Sequence, residues 1–253
     1  MSGTRLSPPK GSVTNKIHHE PYPVISPNRK ELSAASKHVV VTGGGSGIGK
    51  AIAMSFAEAG ATSISIIGRR SEVLTDARAS IVQSAAARGH KPTVLVAQAD
   101  LSDWEQTVRA FSTVTSQVGK ADVVVANAGT LPRMGLVTEL DIPDLMGGFS
   151  INVGSILHTL KAAHSFASLN AVIININTKM HSFPHFGPKM STYSTTKAAG
   201  LALTDFFAEE NPSFHVVNVH PGVVSTDMTG YGEDSRKYYF VLWKESLSSD
   251  KEN

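Results

Sequence analysis

With 253 residues, 41% hydrophobic and 17% charged, the chain has material for one large core, and α/β folds of this size are commonly a single domain. The absence of cysteine excludes disulfides, thiolate nucleophiles and cysteine-rich zinc sites, and leaves no sign of an oxidising compartment. A formal net charge of +2, with Lys and Arg scattered rather than striped, argues against a nucleic-acid partner.

Residues 1–36 are rich in Pro, Ser, Lys and Asn without a hydrophobic period, and read as a flexible leader. They hold no apolar core of the kind a secretory signal needs, and no run in the chain approaches a membrane span. The expectation is a soluble, cytoplasmic protein with no membrane contact. Tyr22 to Pro27 has enough apolar character to lie on the domain as an extended strap, a disordered tail being the alternative.

From Lys37 short β-branched runs alternate with Ala-rich segments. Strands are predicted at 38–42, 62–67, 92–97, 122–126, 171–177 and 214–220, with helices near 47–59, 71–88, 103–118, 141–168 and 192–209. Continuous apolar strands between helices imply a parallel sheet covered on both faces, a doubly wound α/β fold of Rossmann-like type. Its ligands belong beyond the carboxyl ends of the strands.

The first strand-to-helix turn reads Gly43, Gly44, Gly45, Ser46, Gly47, Ile48, Gly49. Glycines let a diphosphate approach the backbone, and the N–H groups opening the helix face the anion, so the turn reads as a dinucleotide site. The second strand ends Ile66-Ile67-Gly68-Arg69-Arg70, without the carboxylate that would hold a ribose 2′-hydroxyl. Arg69 suits a 2′-phosphate, which points to NADP(H); ordinary helix-entry surface charge is the alternative for both arginines, and Arg70 is given no role beyond it. Asp100 and Leu101 fit an adenine edge and face, or Asp100 to Asp103 starts a helix. Asn127, Ala128 and Gly129 suit a backbone passing close to a ribose, though a tight turn uses them too.

Tyr193 and Lys197 lie one helical turn apart on one face, where the ammonium can favour the phenolate and lower the tyrosine's pKa. A tyrosine tuned that way passes a proton near neutral pH. His181 and His185 flank Pro184 with no nearby carboxylate, so no metal site is expected. His181, Phe183, Phe186 and Met190 fit a substrate lining instead.

Taken together, Thr42 to Gly49, Asn127 to Gly129, Tyr193 to Lys197 and Pro221 to Thr226 resemble the motifs of the short-chain dehydrogenase/reductase family in its NADP-preferring form, over Lys37 to Met228. The leader from Tyr22 to Pro27 is similar to that of fungal members, many of them active in secondary metabolism. The resemblance implies a domain over 37–228 that interconverts a carbonyl and an alcohol with NADP(H). Tyr193 would move the proton, Lys197 would lower its pKa and bond the nicotinamide ribose, and Asn152 would hold a water in the relay. Pro221, Gly222, Val224 and Thr226 would hold the nicotinamide end.

Two departures stand out. Thr178 occupies the place of the family's serine, and Tyr193 follows it by 15 residues, a couple more than usual; Ser182 is an alternative that nothing around it favours over a plain loop serine. Past Met228, residues 229–253 form a divergent tail with one apolar stretch, Tyr238 to Trp243, so the family's last strand reads as missing or replaced. That leaves open a homo-oligomer, and it keeps two rivals: a non-catalytic NADP(H)-binding protein, and a non-redox dehydratase or isomerase.

Overall fold

The computed structural model describes residues 22–180, 189–222, 224 and 226–228. Strands β1 (His38–Thr42), β2 (Ser63–Gly68), β3 (Thr93–Gln98), β4 (Ala121–Ala126), β5 (Ala167–Ile176) and β6 (His215–Val219) alternate with helices α1 (Gly47–Glu58), α2 (Ser71–Ala86), α3 (Trp104–Val118), α4 (Ile142–Phe166) and α5 (Ser191–Glu210). Every strand pair is parallel, in the order β3-β2-β1-β4-β5-β6. The order reverses between β1 and β4, which opens a crevice beyond their carboxyl ends. The doubly wound fold expected from the alternation is the fold observed.

Successive strand residues point to opposite faces, and the two cores divide accordingly. Val40, Val124 and Ile173 pack with Phe111, Ile156 and Leu160 on the α3–α4 side. Val39, Val41, Ile64, Ile66 and Val125 pack with Ala53, Ala57, Leu74 and Ile81 on the α1–α2 side. Strand β1 is buried on both faces.

Two local differences from the sequence reading have physical causes. Helix α4 stops at Phe166, where Ala167 becomes extended with its N–H on Ala163 O, and β5 begins at once. A register shift against β4 and a left-handed Asn170 (φ 64°) absorb the extra residues. Residues 22–36 form two single-turn 3₁₀ helices, Pro23–Ile25 and Lys30–Leu32, in place of an extended strap. Proline presets the first turn, the Arg29 guanidinium folds onto Val24 O (2.7 Å), and buried Ala34 donates to Ala59 O (2.9 Å). Tyr238 to Trp243 lies outside the described residues, as do His181, Ser182, Phe183, His185 and Phe186.

Candidate active site

The crevice is fastened by one hydroxyl. Thr42 Oγ1, at the end of β1, donates to Val125 O (3.0 Å) and accepts from the N–H groups of Asn127 (3.0 Å) and Ala128 (3.2 Å). Asn127 Nδ2 returns to Thr42 O (3.0 Å) and Gly43 O (3.4 Å). The strand ends on either side of the switch point are thereby locked together. Gly43 has φ 66°, and a Cβ there would stand 2.9 Å from Asn127 Nδ2 and 3.1 Å from Ala128 Cα. A Cβ on Gly49 would overlap Gly43 O and reach 2.5 Å from Asn127 Nδ2.

Helix α1 opens at Gly47 with no acid in its first turn, and its N-cap Ser46 makes no side-chain capping bond. Its first N–H groups suit an anion. Thr226 Cγ2 comes within 3.1 Å of where a Gly47 Cβ would be, so Thr226 stands against this turn. Ile48 packs against the α1–α2 core and anchors the helix start. A glycine cradle that side chains would fill, facing an uncapped helix start, fits a dinucleotide diphosphate.

At the end of β2 the two arginines diverge. Arg70 Nη2 reaches Ser46 Oγ at 3.4 Å, so it is more than the plain surface charge expected of it. Arg69 joins Gln98, Asp100, Gln106 and Arg109 around an open cleft of about 400 Å³. Helix α3 is capped by Asp103, whose Oδ1 accepts from Gln106 N (3.0 Å). Asp100 is thus released from capping; its Oδ1 accepts from Ser102 N (2.9 Å) and Ser102 Oγ (2.7 Å). Burial raises the Asp100 pKa, but the Ser102 bonds and the Arg69 charge outweigh it and hold the carboxyl below its usual range. Leu101 departs from its expected place: it is 4% exposed, packed in the α3–α4 core, with its carbonyl bonded to the His158 ring (2.8 Å). It has little surface to offer an adenine face.

The catalytic candidates converge where β5, α4 and α5 meet. Helix α5 lies so close on α4 that a Cβ on Gly200 would overlap Ile156 Cδ1. Lys197 is 6% exposed, and its ammonium donates to Ile176 O at the end of β5 (2.9 Å). Burial lowers its pKa to about 8. Half-buried Tyr193 is shifted the other way, its phenol pushed up by burial. The expected lowering of Tyr193 by Lys197 is therefore not observed. Desolvation disfavours both charged forms, and no coupling to the ammonium offsets it at the phenol.

Asn152 is buried in an unbroken α4, with both ends of its amide engaged. Oδ1 accepts from Thr130 N (2.8 Å), while Nδ2 donates to Thr130 O (3.1 Å) and Thr196 Oγ1 (3.0 Å). Thr196 Oγ1 in turn donates to Tyr193 O (2.8 Å). The side chain thus fastens the loop after β4 to the helix carrying Tyr193. At Gly129, a Cβ would stand 3.2 Å from Asn152 Oδ1 and 3.7 Å from Lys197 Nζ. The crevice and the catalytic helix meet there.

Thr178 is buried just past β5, its N–H on Asn177 Oδ1 (2.7 Å) and its Oγ1 accepting from Met180 N (3.2 Å). Met190, at the N-cap of α5, pairs with Gly135 in a single parallel bridge. Asn177, Thr196, Thr42 and Arg70 are the site residues that sequence reasoning missed or set aside. Thr42 and Thr196 lay inside motifs already marked, which was the available signal. No cluster of three His, Asp or Glu able to hold a metal occurs among the described residues, and none of their helices is long and apolar enough to cross a membrane.

Strand order and a crevice at the switch point place the molecule among the doubly wound dinucleotide-binding proteins. The family model described as short chain dehydrogenase matches residues 37–237. The chain belongs to the short-chain dehydrogenase/reductase family of oxidoreductases. It is 32% identical to the short chain dehydrogenase pigC of Monascus ruber, over 97% of this chain and 85% of that protein. Among solved structures it is similar to an alcohol dehydrogenase from Thermococcus sibiricus complexed with 5-hydroxy-NADP (TM-score 0.69, 26% identity, 77% of this chain and 80% of that one). A short chain dehydrogenase from Burkholderia cenocepacia in complex with NADP is also similar (TM-score 0.68, 28% identity, 77% of each chain).

Proposed function

We propose that the protein is an NADP(H)-dependent reductase or dehydrogenase of the cytoplasm that interconverts a carbonyl and an alcohol on a small, hydrophobic metabolite, in keeping with a role in secondary metabolism. The observation that carries this is the junction at Gly129, where the dinucleotide crevice opens against Asn152 and Lys197. When bound, the nicotinamide supplies or accepts the hydride. Gly43, Ser46, Gly47 and Gly49 would hold its diphosphate, Asp100 its adenine, and Asn127, Ala128 and Gly129 the neighbouring ribose. Pro221, Gly222, Val224 and Thr226 would flank the nicotinamide end.

In reduction, Tyr193 gives its phenolic proton to the oxygen that becomes the alcohol, and Thr178 donates a hydrogen bond to the same oxygen. Burial keeps that phenol protonated at neutral pH, which suits a donor. Lys197, held on Ile176 O, would bond the nicotinamide ribose. Asn152 keeps the Thr130 loop in register with α5.

The preference for NADP(H) rests on β2 ending in Gly68-Arg69-Arg70 without a carboxylate, Arg70 reaching the glycine-rich turn and Arg69 the Asp100 cleft. Two of the similar structures carry NADP or a derivative of it and another, a xylitol dehydrogenase, carries NAD+, so the choice stands on the arginines.

The test is hydride transfer. Purified protein is mixed with NADPH or NADH and a panel of apolar ketones and aldehydes, and loss of reduced-cofactor absorbance is followed for wild type and Tyr193→Phe. NADPH oxidation should be lost, by about 100-fold or more, in Tyr193→Phe. Wild type that binds NADPH but oxidises none would leave the non-catalytic reading standing, and a preference for NADH would remove the roles of Arg69 and Arg70.

A further inference from the structure

Asn177 stands where β5 runs out, between groups that the proposed reaction uses. It is 6% exposed. Its Nδ2 donates to Lys197 O, 20 residues on, at 3.2 Å, and its Oδ1 accepts from Thr178 N at 2.7 Å. Its own N–H donates to Val219 O at the end of β6 (2.8 Å), so the residue is pinned to the sheet. The preceding residue, Ile176, takes the Lys197 ammonium on its carbonyl. Consecutive residues thus hold Lys197 at both ends, by side chain and by backbone, and the second of them also holds the peptide of Thr178.

We propose that Asn177 is a positioning residue, setting the Thr178 hydroxyl against the Tyr193–Lys197 face of α5. The roles of Thr178, Tyr193 and Lys197 rest on the function proposed above. A carbonyl inside a helix has its own donor four residues on, so Lys197 O does not need Asn177 to be satisfied. The extra bond instead fixes where the strand end stands relative to the helix. Losing the acceptor removes the 2.7 Å bond that holds the Thr178 peptide to the strand end, at the cost of a buried hydrogen bond. A side-chain amide donates with one arm and accepts with the other, whereas a carboxylate of the same shape only accepts. The two bonds can therefore be separated by isosteric change.

Asn177→Asp keeps the acceptor for Thr178 and removes the donor to Lys197; Asn177→Leu removes both at similar volume. On the full chain, thermal unfolding, NADPH affinity, kcat and KM for a ketone, and the pH dependence of kcat are measured for each. Asn177→Leu should lower kcat by about tenfold or more while the Kd for NADPH stays within about threefold, because misplacement costs rate more than binding. Asn177→Asp should move the pH profile of kcat upward, since a carboxylate at the backbone end of Lys197, inside the same buried cluster, would favour its charged form. Should Asn177→Leu not fold, the Asp variant decides. Active wild type with kcat and pH profile unchanged in the variants, once corrected for folded fraction, would sink this proposal alone. Inactive wild type would remove the proposed function and this role together.

Discussion

Around the glycine-rich turn, atoms packed in contact add to the Thr42 and Asn127 hydrogen bonds; around Lys197, positions are held chiefly by side-chain hydrogen bonds. Gly43 and Gly49 sit against Asn127 and each other with no room for a methyl group. Asn152, Thr196, Asn177 and Lys197 are linked by donors and acceptors across β5, α4 and α5. The first region should be intolerant of volume, and the second of lost polar groups.

The largest expected effect uses one substitution at both regions. Gly49→Ala forces a Cβ into Gly43 O and Asn127 Nδ2 and should destabilise by about 3 kcal/mol, with loss of NADPH binding. Gly129→Ala meets Asn152 Oδ1 at 3.2 Å and Lys197 Nζ at 3.7 Å, and should cost less than about 1 kcal/mol. Denaturant unfolding of both measures the gap; equal losses would erase the distinction.

Comparable in size is a pH effect confined to the polar region. Lys197 has a folded pKa of about 8 against an ordinary 10.5. Above pH 8 the folded state releases a proton that the unfolded state still binds, so stability rises with pH until 10.5, by about 3 kcal/mol for this group alone. Tyr193, with its folded pKa raised, stabilises below its ordinary 10.0, and that contribution is lost as pH rises toward its folded value. The alkaline gain should therefore bend over near pH 10. Unfolding of wild type and Lys197→Met across this range isolates the lysine contribution, and parallel curves would count against a buried ammonium.

Asn152→Leu removes partners from Thr130 and Thr196 without creating a clash, and should cost about 2 kcal/mol while sparing NADPH affinity. Loss of NADPH affinity as large as that of Gly49→Ala would mean that the two regions are not separable.

The smallest effect lies far from both, at the start of β1. His38 is buried, its ring between Gly119 O (2.9 Å) and Ser65 Oγ (2.8 Å), and burial lowers its pKa despite opposing contributions from nearby backbone bonds and Asp122. The unfolded state takes the proton first, so stability should fall as pH drops through the ordinary 6.5 toward the lower folded value. His38→Gln should flatten that slope and leave NADPH binding untouched.

The sequence by itself determined the fold class, the strand order's raw material and the motif positions. Period-two and period-3.6 patterns state which face of each element is apolar, and buried parallel strands advertise themselves as continuous runs such as Val39-Val40-Val41. The turn from Gly43 to Gly49 was legible for the same reason, since its chemistry is local. Only the tertiary structure decided that Arg70 meets Ser46, that Leu101 is core, that Asn177 braces Lys197, and that Asp103 rather than Asp100 caps α3. The spacing of Tyr193 and Lys197 gave their shared face but not the direction of their pKa shifts, which burial sets for each group. Desolvation and pairing depend on residues tens of positions away in the chain, and packing, not periodicity, brings those residues within reach.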